Sequence, residues 1–327
     1  MKLNNIILGC QTFGSSLNPN ECDKVVNLCI KNGIVKFDLA ESYPFPENDK
    51  TFGISEKIFG NWITKNKKLR KKIIISTKVT GRNNNKFKSL SSERVTPNRI
   101  IKSAEKSLKR LKTSYIDTYY LHWPDRYTNI FGRTFYNPDK DPHFIPIEDQ
   151  FEAFYKLKKS GKIIDYGICN ETSWGVMKFL EISKKKNMKP TLQEEYSIIN
   201  RNIEKSLKEI VIREKLNINI YSPLSGGLLT GKYIFNSNAQ GRLNRFKMKT
   251  SRNQSPIKIG MVKNLNKICK KNNIKMMDFS YNFLKKQKFV SNIIFGISKI
   301  QQLEKFLKSW NVNIDDRIYR KILKEIN

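Results

Sequence analysis

Histidine and cysteine are scarce in this chain of 327 residues. The two histidines, His122 and His143, are too few for a zinc site built from several histidines. The five cysteines form no Cys-x-x-Cys pair and no cluster with metal-ligand spacing. An odd number of cysteines fits a reducing compartment, where they serve as small apolar residues. The sequence therefore predicts no metal site, and it predicts structural cysteines.

Long apolar runs are also missing. No run approaches the roughly 20 residues that a membrane helix needs. The first residues, MKLNNIILG, lack the long apolar stretch and the small-residue cleavage site of a signal peptide. We therefore expect a cytoplasmic protein that has no membrane partner.

Acidic residues are few compared with basic ones. The chain has 29 Asp and Glu and 62 Lys and Arg, which gives a formal net charge of +33. Such an excess of basic residues suggests nucleic acid or an anionic membrane as a partner. The lysines, however, are spread along nearly the whole chain, without a basic tail, a zinc knuckle or an RNP-like aromatic stripe. We favour a solvated basic surface over specific nucleic-acid binding. Such a surface would still attract an anionic dinucleotide from a distance.

Short β-rich runs alternate with amphipathic helical stretches from one end of the chain to the other. Hydrophobic residues make up 39% of the sequence, enough for a globular core. The predicted strands are Asn5–Leu8, Val35–Leu39, Lys72–Lys78, Tyr115–Leu121, Asp165–Ile168, Thr191–Glu194, Ile218–Tyr221 and Asn292–Phe295. This alternation implies a parallel sheet, and eight strands favour closure into a (β/α)8 TIM barrel.

An open, doubly wound sheet is the alternative architecture. It leads us to expect a glycine-rich fingerprint after an early strand, which Leu8-Gly9-Cys10-Gln11 lacks. Neither an internal repeat nor an interdomain linker appears along the chain. Residues 1–327 are therefore predicted to form a single barrel domain.

Helix ends and long connections can also be located. Thr96 followed by Pro97 is typical of a helix start, and Gly161 of a helix end. Two connections, Thr80–Arg94 and Trp123–Pro146, are longer than a standard loop, and both follow strands. They are expected on the face where barrel enzymes keep their active sites. Trp123 is predicted to line the substrate pocket. Parts of Pro124–Pro146 and of the Gly241–Arg252 segment are predicted to line it as well.

Polar side chains follow three successive strands of the predicted barrel. Asp38 lies at the end of the second strand with Tyr43 just beyond it, Lys78 ends the third strand, and His122 follows the fourth. Each of them alone is more often a structural or surface residue than a functional one. At the carboxyl ends of neighbouring strands, however, all four would converge at one rim.

This set of side chains suits the reduction of a carbonyl group. Hydride arriving at a carbonyl carbon leaves an alkoxide, which needs a proton donor and stabilisation of its charge. A tyrosine hydroxyl is a sluggish donor, and a nearby ammonium favours its phenolate form. A buried lysine in turn needs a carboxylate partner, and an imidazole can hold the carbonyl oxygen.

Several segments together resemble the aldo-keto reductase family, and within it the Tas-like bacterial branch, over nearly the whole chain. The segments are FDLAESYPFP (37–46), STKV (76–79), LHWPDRYTNIFGR (121–133), GKIIDYGICNET (161–172), YSIINR (196–201) and YSPLSGGLLTGKY (221–233). The resemblance implies that Tyr43 donates the proton and that Lys78, paired with Asp38, tunes it. It also implies that His122 orients the carbonyl of an aldehyde or ketone, which is reduced to the alcohol.

The same resemblance implies NADPH as the cofactor, with NADH less favoured. Asn170 and Gln193 would hold the nicotinamide carboxamide, and Tyr221 would stack on the nicotinamide ring. Ser222 and Leu224 belong to the stretch that contacts the diphosphate. The segment FGISKIQQLEKF resembles the part that grips the adenosine 2′-phosphate, through Gly296, Ser298 and Gln302. The family usually has Glu and Asn against the adenine, where this chain has Lys305 and Phe306.

Two further hypotheses stay open at this point. The chain could be an NADPH-binding regulatory or scaffold barrel with little turnover, although such a sensor needs no proton donor. A nucleic-acid-binding role driven by charge would predict steeply salt-dependent affinity without a need for Tyr43. The physiological carbonyl substrate and the oligomeric state are not legible in the sequence.

Overall fold

A closed barrel of eight parallel strands forms the centre of the protein, seen in a computed structural model. The structure describes residues 1–82, 94–128, 136–140, 143–236, 238–245 and 255–326. The strands are β1 Ile6–Gly9, β2 Lys36–Asp38, β3 Ile74–Val79, β4 Ile116–Leu121, β5 Ile163–Cys169, β6 Thr191–Glu195, β7 Ile218–Tyr221 and β8 Asn292–Gly296. Each strand pairs with its neighbours in chain order, and β8 closes the ring against β1.

This topology confirms the TIM barrel and rules out the open sheet. All eight predicted strands are present, with ends that differ from the predicted ones by at most two residues. The third strand starts at Ile74 instead of Lys72 because Lys67–Lys72 form a 3-10 helix. The fifth starts at Ile163 instead of Asp165, where Ile163 pairs with Ile116.

Helices connect the strands and cover the outside of the barrel. They are α1 Pro19–Lys31, α2 Ile54–Lys65, α3 Pro97–Leu111, α4 Ile147–Lys159, α5 Ser173–Lys184, α6 Leu207–Arg213, α7 Lys232–Phe235, α8 Arg242–Arg245, α9 Pro256–Lys271, α10 Met276–Lys285, α11 Gln301–Trp310 and α12 Asp316–Ile326. The described helices include none with the length and apolarity that crossing a membrane would take.

The predicted start of α3 and the predicted end of α4 are both confirmed. Thr96 is the N-cap of α3, and its hydroxyl accepts a hydrogen bond from the Arg99 amide at 3.3 Å. Pro97 then occupies the first helical position, where its missing N–H costs no hydrogen bond. After α4 the chain turns at Gly161, whose φ of 69° is a conformation that glycine adopts readily.

Side chains alternate between the two faces of each strand, so the inward-facing polar residues lie in two layers. The lower layer is a hydrogen-bonded chain: Tyr120 accepts from Asn219 at 2.9 Å, and Asn292 donates to Asn219 at 2.7 Å. Lys36 on β2 donates to Asn292 at 2.7 Å. Two positions further along their strands, Asp38, His122 and Tyr221 form part of an upper layer at the carboxyl ends. Strand geometry thus brings residues far apart in sequence to one rim.

Candidate active site

The ammonium group of Lys78 is the most deeply buried charge at the rim, with no exposed surface. Its Nζ donates to Asp38 Oδ2 at 2.6 Å and to the carbonyl oxygen of Leu39 at 2.6 Å. Asp38 is itself only 3% exposed. Because a buried ammonium is costly without a hydrogen-bonded counter-charge, this pair explains how Lys78 is accommodated there.

Two further side chains fix the orientation of the Asp38 carboxylate. Its Oδ1 accepts from Ser76 Oγ at 2.8 Å and from Gln193 Nε2 at 3.0 Å. Ser76 lies two residues before Lys78 on β3 and therefore faces the same side of that strand. Gln193 was predicted to contact a cofactor, and the structure adds that it contacts the carboxylate as well.

Tyr43 and His122 lie beside the Lys78–Asp38 pair. The Lys78 Nζ is 5.2 Å from the centre of the Tyr43 ring. The Tyr43 and His122 rings meet edge to face, with their centres 5.8 Å apart. The structure therefore brings together all four residues that the strand ends predicted.

Burial holds both Tyr43 and His122 in their neutral forms. The pKa of the Tyr43 hydroxyl is raised well above its usual value, first by burial and then by the nearby Asp38 carboxylate. The pKa of His122 is lowered well below its usual value by burial and by the charge of Lys78. Burial thus outweighs any preference of the Lys78 ammonium for a Tyr43 phenolate. A neutral tyrosine retains the proton that a proton donor must supply.

One nitrogen of His122 is suited to contact a bound molecule. Its Nδ1 is buried and has no hydrogen-bond partner within the part of the chain that the structure describes. Buried polar atoms are almost always hydrogen-bonded, so this nitrogen suits a polar atom of a bound molecule. The backbone of His122 is fixed from both sides, by Val79 O at 2.9 Å and Asn170 Nδ2 at 2.9 Å.

Asn170 and Tyr221 form a second polar group beside the first. The Tyr221 hydroxyl donates to Asn170 Oδ1 at 2.5 Å, so the two predicted cofactor residues contact each other at the ends of β7 and β5. Asn170 and Ser222 both have positive φ, 56° and 57°. Such backbone strain is uncommon outside glycine and often marks a functional site.

A cavity of about 1370 Å³ is lined by several of these residues. This volume exceeds the range of about 300–1,000 Å³ that small-molecule sites usually have, and it suits a large ligand. The predicted site residues that line it are Asp38, Tyr43, His122, Trp123, Asn170, Gln193, Tyr221, Ser222, Leu224, Gly296, Ser298 and Gln302. Lys78 lies beneath the cavity wall and reaches it through Asp38 and Tyr43.

Trp123 forms part of the cavity wall near His122. Their ring centres are 4.8 Å apart, and Trp123 Nε1 donates to the carbonyl oxygen of Arg82 at 2.9 Å. Much of the two long connections and of the Gly241–Arg252 segment, residues 83–93, 129–135, 141–142 and 246–252, lies outside the described residues.

Another part of the cavity wall lies where β8 leads into α11. The Ser298 amide donates to Gln302 Oε1 at 2.7 Å, which fixes the turn before the helix. Phe306 also lines the cavity but is 3% exposed, because its ring stacks on Phe295 with centres 4.1 Å apart. The Phe306 ring therefore forms part of the cavity wall at this place.

The sequence did not reveal two buried carboxylates that hold the end of β3. Glu41 Oε1 accepts from the Thr80 amide at 2.8 Å. Glu56 on α2 accepts from Thr77 at 2.7 Å and pairs with Arg110 at 2.5 Å. Together they hold residues on both sides of Lys78. Glu41, in the DLAES run after β2, offered a signal, whereas Glu56 sits in an ordinary helical pattern.

Comparison with known proteins decides the family. The model of the Aldo/keto reductase family matches residues 5–326. The chain belongs to the aldo/keto reductase family. Protein tas of Escherichia coli strain K12 is 30% identical to it, over 98% of this chain and 94% of that protein. The predicted Tas-like resemblance is thereby confirmed.

Two other relatives of this aldo/keto reductase carry names that describe chemistry. The uncharacterized oxidoreductase YrpG of Bacillus subtilis is 25% identical, over 98% of this chain and 91% of that protein. The human aflatoxin B1 aldehyde reductase member 4 is 28% identical, over 70% of this chain and 60% of its own length. Family membership and these relatives support an oxidoreductase and carbonyl reduction in general.

Proposed function

We propose that this aldo/keto reductase uses NADPH to reduce an aldehyde or ketone to the alcohol, with Tyr43 as the proton donor. The observation that carries the proposal is the buried Lys78–Asp38 pair, 2.6 Å between Nζ and Oδ2, beside Tyr43 and His122 in the wall of the cavity. Such a pair is expensive to bury, and its position supports a role in proton transfer.

Each polar side chain then has a distinct task. Tyr43, neutral in its buried position, gives its proton to the carbonyl oxygen as negative charge develops there. An ammonium has three N–H donors, and Asp38 and Leu39 accept two from Lys78, so the third is available to the Tyr43 oxygen. Neutral His122 positions the carbonyl by a hydrogen bond from its ring.

The cavity residues support a nicotinamide dinucleotide, which when bound supplies the hydride. Asn170 and Gln193 would hold the carboxamide, and Tyr221 would present its ring to the nicotinamide. Further residues would follow the cofactor along the cavity: Ser222 and Leu224 at the diphosphate, and Gly296, Ser298 and Gln302 at the adenosine 2′-phosphate. This arrangement fits NADPH, with NADH as the weaker ligand.

The substrate is proposed to be a small carbonyl compound that contacts Trp123, since this ring adjoins His122 in the cavity wall. A single barrel domain suffices for this chemistry, because the proposed site residues lie in barrel strands or in the segments that follow those strands. A cytoplasmic location without a nucleic-acid partner stays a prediction from the sequence.

A regulatory or scaffold barrel that binds NADPH with little turnover is the second candidate. The test is to follow the oxidation of NADPH by the purified protein with a reactive aromatic aldehyde, and to titrate NADPH separately by its fluorescence. Turnover that depends on both aldehyde and enzyme supports the reductase. Tight NADPH binding without turnover on a panel of aldehydes and ketones would favour the regulatory barrel. Absence of NADPH binding would contradict both.

A further inference from the structure

Glu41 is a buried carboxyl group that lies between Asp38 and Tyr43 in the sequence but is not one of the four proposed catalytic side chains. It is 3% exposed and is not among the described residues that line the cavity. Burial raises the pKa of its carboxyl, while the hydrogen bond from Thr80 and the charge of Arg99 oppose this shift. Burying a carboxyl group is costly unless it is hydrogen-bonded, so the bonds of Glu41 indicate what it does.

The backbone of Glu41 continues the pairing with β3 beyond the last residue of β2. Leu39 N donates to Ser76 O at 2.8 Å, and two residues later Glu41 N donates to Lys78 O at 3.3 Å. This is the regular spacing of a parallel sheet, in which alternate residues of one strand bond the next strand. The following bond of the series would run from the Thr80 amide to the carbonyl oxygen of Glu41.

The side chain of Glu41 replaces that carbonyl oxygen. Its Oε1 accepts from the buried Thr80 amide at 2.8 Å, so the backbone can leave the sheet without leaving this amide unpaired. The backbone then enters a turn that is closed by Tyr43 N, which donates to Ala40 O at 3.1 Å. Tyr43 is the last residue of this turn, and Lys78 lies on the strand that Glu41 holds at two points.

We propose that Glu41 is a positioning residue for carbonyl reduction, which sets the distance between the Tyr43 hydroxyl and the Lys78 ammonium by fixing where the chain leaves the sheet. This role rests on the proposed function, in which Lys78 acts on Tyr43. The length of the side chain and its acceptor oxygen matter, and its charge does not, because the bond that Glu41 accepts comes from a neutral backbone amide. A misplacement of about 1 Å can cost about 100-fold in rate.

Two variants at this position separate length from charge. Glu41→Gln keeps the length and an acceptor oxygen, so kcat should stay within about threefold of the wild type. Glu41→Asp keeps the charge but is one methylene shorter, so either the bond to Thr80 is lost or the turn to Tyr43 moves. Its kcat should fall about 10- to 100-fold. NADPH affinity, measured by fluorescence titration, should stay within about twofold in both variants, because Glu41 is not a proposed cofactor contact.

Asp117 offers a matched control, because its carboxylate holds a backbone amide near the opposite end of β3. Its Oδ2 accepts from Ile75 N at 2.9 Å and pairs with Arg70 at 2.8 Å. Asp117→Ala should lower the urea midpoint of unfolding, while the kcat of the folded protein stays within about threefold of the wild type. Glu41→Ala should lower both the urea midpoint and kcat. The comparison separates a loss of stability from a loss of position.

Three results would overturn this role of Glu41. They are a Glu41→Asp variant with kcat within about threefold of the wild type, a Glu41→Gln variant that loses as much kcat as Glu41→Asp, and an Asp117→Ala variant that loses as much as Glu41→Ala. In each case the wild type still reduces the aldehyde, so the proposed function stands. A wild type that reduces no carbonyl compound would contradict the proposed function, and this role of Glu41 with it.

Discussion

Lys78 Nζ lies 2.6 Å from Asp38 Oδ2, and neither side chain is more than 4% exposed. The pair forms because both residues face inward at the carboxyl ends of neighbouring strands, β2 and β3. Gln193 and Ser76 also donate to this carboxylate, so Asp38 links Lys78 to one of the proposed cofactor residues. The proposed proton transfer depends on this buried charge pair.

Breaking the pair should affect both turnover and stability. In Lys78→Met, turnover should fall at least about 100-fold, the lower range for loss of general acid–base assistance. The free energy of unfolding should fall by about 3–5 kcal/mol, because Asp38 keeps a buried charge without its cation. Steady-state kinetics and urea unfolding measure the two effects.

The double variant Lys78→Met/Asp38→Asn is the control for stability. It removes the orphaned charge, so the free energy of unfolding should recover in large part while turnover stays low. Recovery of turnover in the double variant would contradict the role proposed for Lys78.

The barrel and the rim residues were predictable from the sequence because strand periodicity and strand ends are local signals. Once eight strands are located, Asp38, Lys78 and His122 must meet where neighbouring strands end. Thr96 and Pro97 likewise mark a helix start by their own chemistry.

Contacts made through the folded core could not be predicted in the same way. The Gln193–Asp38 hydrogen bond joins residues 155 positions apart, and Glu56 reaches Thr77 only after α2 packs on β3. The upward shift in the pKa of Tyr43 depends on burial, which is a property of the assembled rim. The stacking of Phe306 on Phe295 is also a consequence of packing, and it defines the far wall of the cavity.

His122 should make stability depend on pH below the usual histidine pKa of 6.5. Its folded pKa is lowered, so below pH 6.5 the unfolded chain binds a proton that the folded protein does not. The contribution of His122 to the free energy of unfolding is constant above pH 6.5. As the pH falls below 6.5, this contribution is lost at up to about 1.4 kcal/mol per pH unit. His122→Gln should remove this part of the slope in urea unfolding between about pH 6.5 and 5.

His143, the other histidine, is exposed and supplies the control. His143→Gln should keep the wild-type slope. Equal slopes in the wild type and in His122→Gln would show that His122 titrates normally in the folded protein.

Two glycines should respond in opposite ways to alanine. A Cβ at Gly167 on β5 would collide with the Tyr120 ring and would lie 2.7 Å from the Thr191 carbonyl oxygen. Gly167→Ala should therefore lower the free energy of unfolding by about 1–3 kcal/mol, as overpacking does. Gly260, inside α9, has open space around its Cβ position. Gly260→Ala should raise the free energy of unfolding by about 0.5–1 kcal/mol through helix propensity.

Thermal unfolding of these two variants beside the wild type compares the predictions directly. A neutral Gly167→Ala would mean that the barrel interior has more room than the structure indicates. A destabilising Gly260→Ala would show that this position makes contacts beyond the described residues.

The most direct test of the central claim compares the wild type with Tyr43→Phe, which removes one hydroxyl from the rim. NADPH affinity, measured by fluorescence titration, should stay within about twofold, because the proposed cofactor contacts lie elsewhere. Turnover with an aldehyde that the wild type reduces should fall at least about 100-fold, since the proton donor is lost. Turnover close to that of the wild type, with NADPH affinity unchanged, would contradict the assignment of Tyr43 as the proton donor.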